Sequence, residues 1–257
     1  MWGRGDAYEP YIGRWSRLVA AEFLGWLAVE PGRRWCDVGC GTGALTTAIL
    51  ARCDPAEVVG VDPSEDYVAW AARNIGDDER ARFVVASAEE LPPGVADVVV
   101  SGVALNFMPD PGAALAAMRA AAPQGIVAAY VWDYAGRMEL IRRFWDAAGA
   151  LDPAAAALDE SVRFSRCRPD WLEALWRDAG LADVETRAID VPTRFRDFDD
   201  YWAPFLGGQG PAPAYAMSLD EAARTRLRER IRERLPVAAD GSISLVARAW
   251  AVRSQAA

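Results

Sequence analysis

The sequence predicts an α/β fold: a mostly parallel sheet, doubly wound, with helices on both faces. Three observations predict it. Short apolar runs alternate with helical patterns through the first half of the chain. Trp35–Leu45 reads W-C-D-V-G-C-G-T-G-A-L, an apolar run that ends in a loop with three alternating glycines. An acid, Asp62, then closes the next apolar run, at about the 20-residue spacing of ribose-binding acids in nucleotide folds.

The elements follow in order. Tyr11–Val29 is amphipathic, with Leu18, Phe23, Trp26 and Leu27 as its apolar set. Strands are expected at Arg34–Val38, Val58–Val61, Arg82–Val85, Asp97–Ser101 and Gly125–Val131. Ala44–Arg52, Asp66–Asn74 and Gly112–Ala121 read as the helices between them, with Ser64 or Asp66 as a cap for the second. After Val131 come helices at Arg137–Ala148 and Pro169–Ala179, the latter ended by Gly180. Val184–Val191 and Ser242–Val252 are strand-like. Between them Thr193–Asp240 is an insertion. It opens with Phe195, Phe198, Tyr201, Trp202 and Phe205, passes through the flexible-looking Gly207–Pro213, and continues into a charged helix, Leu219–Arg234.

Composition narrows the function classes. The 257 residues, 52% of them hydrophobic, suffice for one large domain with a full core. The net charge is −9, and every cation is an arginine. An acidic chain without a basic stripe argues against nucleic acid and anionic membrane as partners. The chain has no histidine. That removes the usual general base near neutral pH and every histidine-activated nucleophile. Cys36, Cys40, Cys53 and Cys167 fit no zinc spacing and read as reduced, so no metal is expected. The N-terminus carries no secretory pattern, and no stretch of about 18 apolar residues occurs. A cytoplasmic protein, monomeric or homodimeric, is the expectation.

The glycine loop separates two cofactor classes. A dinucleotide loop runs G-x-G-x-x-G, with a pyrophosphate on the following helix. Here Gly39, Gly41 and Gly43 alternate, and Ala44 stands where the third glycine belongs. Asp37, two residues upstream, is a poor neighbour for a pyrophosphate and suits an ammonium or a ribose.

With these motifs in order, the chain resembles the class I S-adenosylmethionine-dependent methyltransferases, in particular the small-molecule group. The likeness is densest over Arg34–Trp132. It implies a Rossmann-like sheet of seven strands, the last pair formed by Val184–Val191 and Ser242–Val252, with helical lid insertions. It implies one methyltransferase domain over 1–257: an N-terminal lid at 1–30, a cofactor core at 31–135 and an acceptor-side insertion at 193–240. V-V-G-V-D-P-S (Val58–Ser64) matches the motif whose acid holds the ribose hydroxyls; Asp62 is that acid, with Pro63 beside it. F-V-V-A-S-A-E-E-L-P (Phe83–Pro92) matches the adenine stretch, although the family usually has Asp where this chain has Ser87. Ala88 and Glu89 are the other readers there. By position, Ser101, Gly102 and Val103 lie beside the methionine portion, and Asn106 faces the acceptor. Y-E-P-Y-I-G-R-W-S (Tyr8–Ser16) resembles a lid in which Tyr11 and Trp15 cover the sulfonium and Arg14 pairs with the cofactor's carboxylate.

The chemistry implied is displacement of a methyl group from a sulfonium, which needs alignment more than covalent help. A base, if used, is Asp133 first, then Tyr134 or Tyr201. Trp132, Tyr201, Trp202 and Phe205 are the acceptor-side candidates, and the acceptor is a small, partly apolar molecule. Two alternatives stay open: an S-adenosylmethionine-binding isomerase or cyclase (or a binder without activity), and a nicotinamide-dependent oxidoreductase.

Overall fold

The computed structural model describes residues 13–207 and 210–255. Its seven strands are β1 (Arg34–Val38), β2 (Glu57–Asp62), β3 (Ala81–Val85), β4 (Val98–Gly102), β5 (Ile126–Trp132), β6 (Ala182–Phe195) and β7 (Ile243–Gln255). They form one sheet in the order β3-β2-β1-β4-β5-β7-β6. β1 pairs in parallel with β2 (Val38 opposite Val61) and with β4 (Asp37 opposite Val100). β2–β3 and β4–β5 are parallel too. The order therefore reverses between β1 and β4, and open α/β sheets bind their ligands at the carboxyl ends of such a switch point.

Two compact units make up the chain. Among the described residues, the larger takes Ser16–Val131, Arg166–Ile189 and those from Ala249 on; the smaller takes those up to Trp15, Trp132–Ser165 and Asp190–Arg248. In the larger unit, α1 (Arg14–Leu27), α2 (Ala44–Arg52), α3 (Glu65–Ile75), α4 (Pro111–Ala121) and α7 (Pro169–Asp178) accompany the strands. Ser64 caps α3 by accepting from Tyr67 N (3.4 Å), and Asp110 caps α4 by accepting from Gly112 N and Ala113 N, each 3.0 Å. The Trp176 indole pins α7 to β5 by donating to Val127 O (3.2 Å), and Gly180 ends α7 at φ +73°.

The apolar phase of α1 differs from the expected one. Leu18 is 44% exposed and Trp26 half-buried, whereas Trp15, Val19, Ala20, Phe23, Leu24 and Leu27 are buried. The tilted contact of Phe23 with Tyr130, 4.9 Å between centroids, fixes that phase.

The smaller unit has an aromatic core. Phe144 on α5 (Glu139–Leu151) stacks on Phe205 at 4.6 Å, and Tyr201 on α8 (Phe198–Trp202) meets Phe195 at 5.3 Å and Phe205 at 5.7 Å. Such pairs add about 0.5–1.5 kcal/mol each beyond burial. Of the stretch Gly207–Pro213, Gly208 and Gln209 lie outside the described residues, and Pro211 opens α9 (Pro211–Ser218) in the first helical turn, where a missing N–H costs nothing. α6 (Glu160–Arg163) packs its Glu160 inward, and α10 (Glu221–Arg232) buries Leu227 and Ile231 one turn apart.

Candidate active site

The glycine loop, Asp37 and Asp62 meet at the carboxyl ends of β1 and β2. The three glycines have different reasons to be there. All have positive φ, at 71°, 53° and 82°. A Cβ on Gly39 would lie 2.4 Å from Ala104 Cβ, and one on Gly43 would lie 2.3 Å from Ile75 Cδ1. A Cβ on Gly41 would meet nothing within 4 Å. Gly39 and Gly43 thus allow tight packing of the loop, and Gly41 presents bare backbone to open space.

Asp62 ties the loop to β2. Its Oδ2 accepts from Gly41 N at 3.0 Å, and its Oδ1 from Ser64 N at 2.9 Å. Burial raises its pKa, and the two amide bonds oppose that rise. Each oxygen still has an unused lone pair, so the carboxylate can take two ligand hydroxyls.

Asp37 is 1% exposed. Its Oδ2 accepts from Thr46 Oγ1 at 2.7 Å, while Oδ1 has no hydrogen-bond partner among the described residues. Burial pushes its carboxyl up to about 7, with the Thr46 bond working the other way. A buried carboxylate oxygen without a partner is costly and invites a cationic ligand group. Cys36 and Cys40 flank Asp37, and burial holds both thiols protonated, Cys36 up to about 12.

On β4 and the turn after it, Ser101 Oγ and both ends of the Asn106 amide are buried without partners among the described residues. Val103 has φ +53°, a left-handed conformation that a β-branched residue adopts only under constraint. Its N–H donates to Tyr130 O at 2.8 Å. Past β3, Ser87 is drawn into a capping box: its N–H donates to Glu90 Oε2 at 2.7 Å. Ser87 thus has a local partner, and Glu89 is exposed beside the buried Ala88. Pro63 is exposed at the mouth of β2.

The remaining candidates belong to the smaller unit, apart from Tyr11, which lies outside the described residues. Asp133 turns out to be a turn former. Its Oδ1 accepts from Gly136 N and its Oδ2 from Arg137 N, each at 3.0 Å. A Cβ on Gly136 would come within 2.4 Å of that carboxylate. Both oxygens of Asp133 thus hold the turn after β5 through backbone amides. Tyr134 packs on Phe164 at 4.7 Å. Tyr201 donates its hydroxyl to Leu140 O at 3.0 Å, and burial raises its pKa, so it too is held as a structural phenol. Trp202 and Phe205 are buried, 5.7 Å apart. Trp132 is buried with its indole N–H unpartnered among the described residues. Arg14 stacks on Trp15 and Phe195. Sequence reasoning missed Glu160, a buried carboxylate that accepts from the Trp145 indole and from Ala212 N (3.4 Å) and is raised to about 7 by burial. An acid in an Ala-rich run carries no local signal of burial.

Comparison with known proteins agrees with this geometry. The model of the methyltransferase domain family matches residues 36–129. Trans-aconitate 2-methyltransferase of Methylobacterium radiotolerans is 32% identical over 222 residues, covering 66% of this chain and 83% of that protein. A methyltransferase structure from Bacillus halodurans C-125 superposes with a TM-score of 0.57 at 15% identity, covering 92% of this chain and 98% of that one. Phosphoethanolamine N-methyltransferase 2 of Haemonchus contortus, solved with S-adenosylhomocysteine, superposes at 0.56 with 16% identity, over 97% of this chain and 56% of that one. The chain belongs to the class I S-adenosylmethionine-dependent methyltransferases. Its cofactor is S-adenosylmethionine.

The residues present fit that cofactor. It has an ammonium for the free Asp37 oxygen, two ribose hydroxyls for Asp62, and a chain that needs a bare surface such as Gly41 offers. Bound, it supplies an activated methyl group on a sulfonium.

Proposed function

We propose that this enzyme methylates a small, partly apolar organic acceptor by in-line displacement. The observation that carries the acceptor side is Asn106, whose amide donor and acceptor are both buried without partners among the described residues. An amide left open at both ends matches a ligand that carries a hydroxyl donor beside a carboxylate or carbonyl acceptor. The likeness to trans-aconitate 2-methyltransferases points to the same chemistry, a carboxyl oxygen as the methylated atom.

The residue roles follow from the geometry above. Asp37 holds the ammonium, Asp62 the ribose, and Gly41 the adjoining backbone face, with Pro63 beside the nucleoside. Adenine is read by the backbone of Ala88 and Glu89, because Ser87 is bound to Glu90. Ser101 and Val103 flank the reacting group. No dedicated base is required: a carboxylate acceptor is already a nucleophile, and alignment supplies roughly 7–11 kcal/mol.

The test is mass spectrometry of the enzyme incubated with S-adenosylmethionine and trans-aconitate or other small carboxylic acids. Stoichiometric S-adenosylhomocysteine and an acid heavier by one methylene unit are expected. Rearranged acceptor with the cofactor intact would favour a cyclase or isomerase instead.

A further inference from the structure

Methyl transfer gives no task to Glu160, an acid of the smaller unit that is 3% exposed. It sits where three helices meet. Glu160 opens α6, its Oε2 accepts from the Trp145 indole of α5, and its Oε1 accepts from Ala212 N in the first turn of α9 at 3.4 Å. Pro211 has no N–H to give, so Ala212 offers the first amide of α9. α9 also lays Tyr215 on the aromatic core, 5.6 Å from Trp145 and 6.3 Å from Phe144. One carboxyl group thus ties α6 and α9 to α5.

The charges of the packed elements leave this group without a cation. Asp159, which caps α6 by accepting from Ser161 N at 2.7 Å, is a like charge that bears on Glu160. Arg142 of α5 is engaged with Asp159, at 2.9 Å and 2.5 Å. Arg163 of α6 lies over the Phe164 ring. On α5, Glu139 accepts from Val246 N, while Arg143 and Asp146 bear on Tyr201. Before α6, Asp152 accepts from Ala154 N and from the Tyr215 hydroxyl. α9 has no charged residue, and Arg224 of α10 donates to the carbonyls of Ala216 and Leu219 at its far end. Among the described residues, no arginine pairs with Glu160.

The two donors favour the ionised carboxylate, and burial favours the neutral acid. Burial prevails, and the carboxyl is pushed up from 4.5 to about 7. Each oxygen has a second lone pair, so the neutral acid can carry its proton and keep both bonds. Docked, the group therefore holds its proton more tightly than it would in water. The stability this gives the docked arrangement is whole below 4.5, declines as pH rises, and is gone above about 7.

We propose that Glu160 is a proton-operated latch: the neutral carboxyl fastens α6 and the first turn of α9 to α5, and loss of the proton lets α9 lift from Phe144 and Trp145. The device stands apart from the methyl-transfer reading and is tested without cofactor.

Hydrogen exchange of the full chain between about pH 5 and 7, read by mass spectrometry and corrected for the intrinsic rate of each amide, tests it. α5 is the reference within the same unit, because global opening exposes both helices alike. The latch predicts that protection of α9 relative to α5 falls at least roughly tenfold over that range in the wild type. Glu160→Gln cannot ionise and should hold the ratio within about twofold. Should it fail to fold, Glu160→Met, of similar length and without charge, takes its place. A wild-type ratio that does not change with pH would overturn the latch. So would a ratio in the neutral variant that falls as steeply as in the wild type.

Discussion

At the residue scale, the glycine loop divides into positions that serve the fold and a position that serves the ligand. Gly39→Ala places a methyl group against Ala104 Cβ in a left-handed backbone. It should cost roughly 1–3 kcal/mol of stability by overpacking alone. Gly41→Ala meets open space and should cost only about 1 kcal/mol, from its positive φ. Its larger effect should fall on cofactor affinity, where the new methyl occupies the ligand's face. Denaturant melts and calorimetry with S-adenosylhomocysteine separate the two; an equal stability loss in both variants contradicts the division.

Asp37 makes a prediction about pH. Its folded pKa, about 7, lies above the ordinary carboxyl value of 3.8. A carboxyl raised on folding contributes a penalty that is absent below the unfolded value, grows between about 4 and 7, and is complete above 7. A ligand ammonium beside Oδ1 favours the ionised form. Cofactor binding at about pH 6 should therefore release close to one proton, and affinity should rise as pH climbs towards 7. Binding heats measured in two buffers of different ionisation enthalpy report that proton. Asp37→Asn keeps an acceptor for Thr46 and should abolish the buffer dependence; buffer-independent heats in the wild type would sink the assignment.

At the scale of elements, periodicity carried the first half of the chain well. Arg34–Val38 and Ala44–Arg52 were legible to the residue, because a buried parallel strand and a glycine turn leave sharp local signals. Asp37, Asp62 and the loop were legible for the same reason. The second half of the chain was less so. β6 runs to Phe195, beyond the expected Val191, because Thr193 and Phe195 alternate inward and look like the start of an aromatic loop. α9 hides behind two prolines that read as loop residues. Asp133 looked like a base, since its commitment to the amides of Gly136 and Arg137 is a matter of turn geometry that composition does not reveal. Local caps, by contrast, are open to direct test. Asp110 accepts from two first-turn amides of α4, so Asp110→Ala should cost about 1 kcal/mol in a denaturant melt and leave cofactor affinity unchanged. A weakened affinity would mean that α4 reports to the site.

At the scale of the whole molecule, the chain's chemistry and its composition agree. A protein without histidine or lysine has few proton-transfer groups to offer near neutral pH. Its acids are largely engaged: Asp133 in a turn, Asp190 with Arg248 (2.6 Å) and Asp97 with Arg34 (2.8 Å). Transfer of an already activated methyl group suits such a chain, because binding and alignment carry most of the work. No helix among the described residues is long and apolar enough to cross a membrane. The larger unit carries Asp37, Asp62 and the glycine loop at the switch point of the sheet, and the smaller unit has an aromatic core in which, among the described residues, the Trp132 indole N–H and the Thr193 hydroxyl are buried without partners.

Asp62, which holds the loop through Gly41, is the proposed ribose anchor of the S-adenosylmethionine site. Titration calorimetry of S-adenosylhomocysteine into wild-type protein and Asp62→Ala tests it most directly. One site per chain in the wild type is predicted, with affinity at least roughly 100-fold weaker in the variant, as expected for the loss of two charge-assisted hydrogen bonds. Equal affinity in the two proteins, both still folded by circular dichroism, would rule out Asp62 as the ribose anchor.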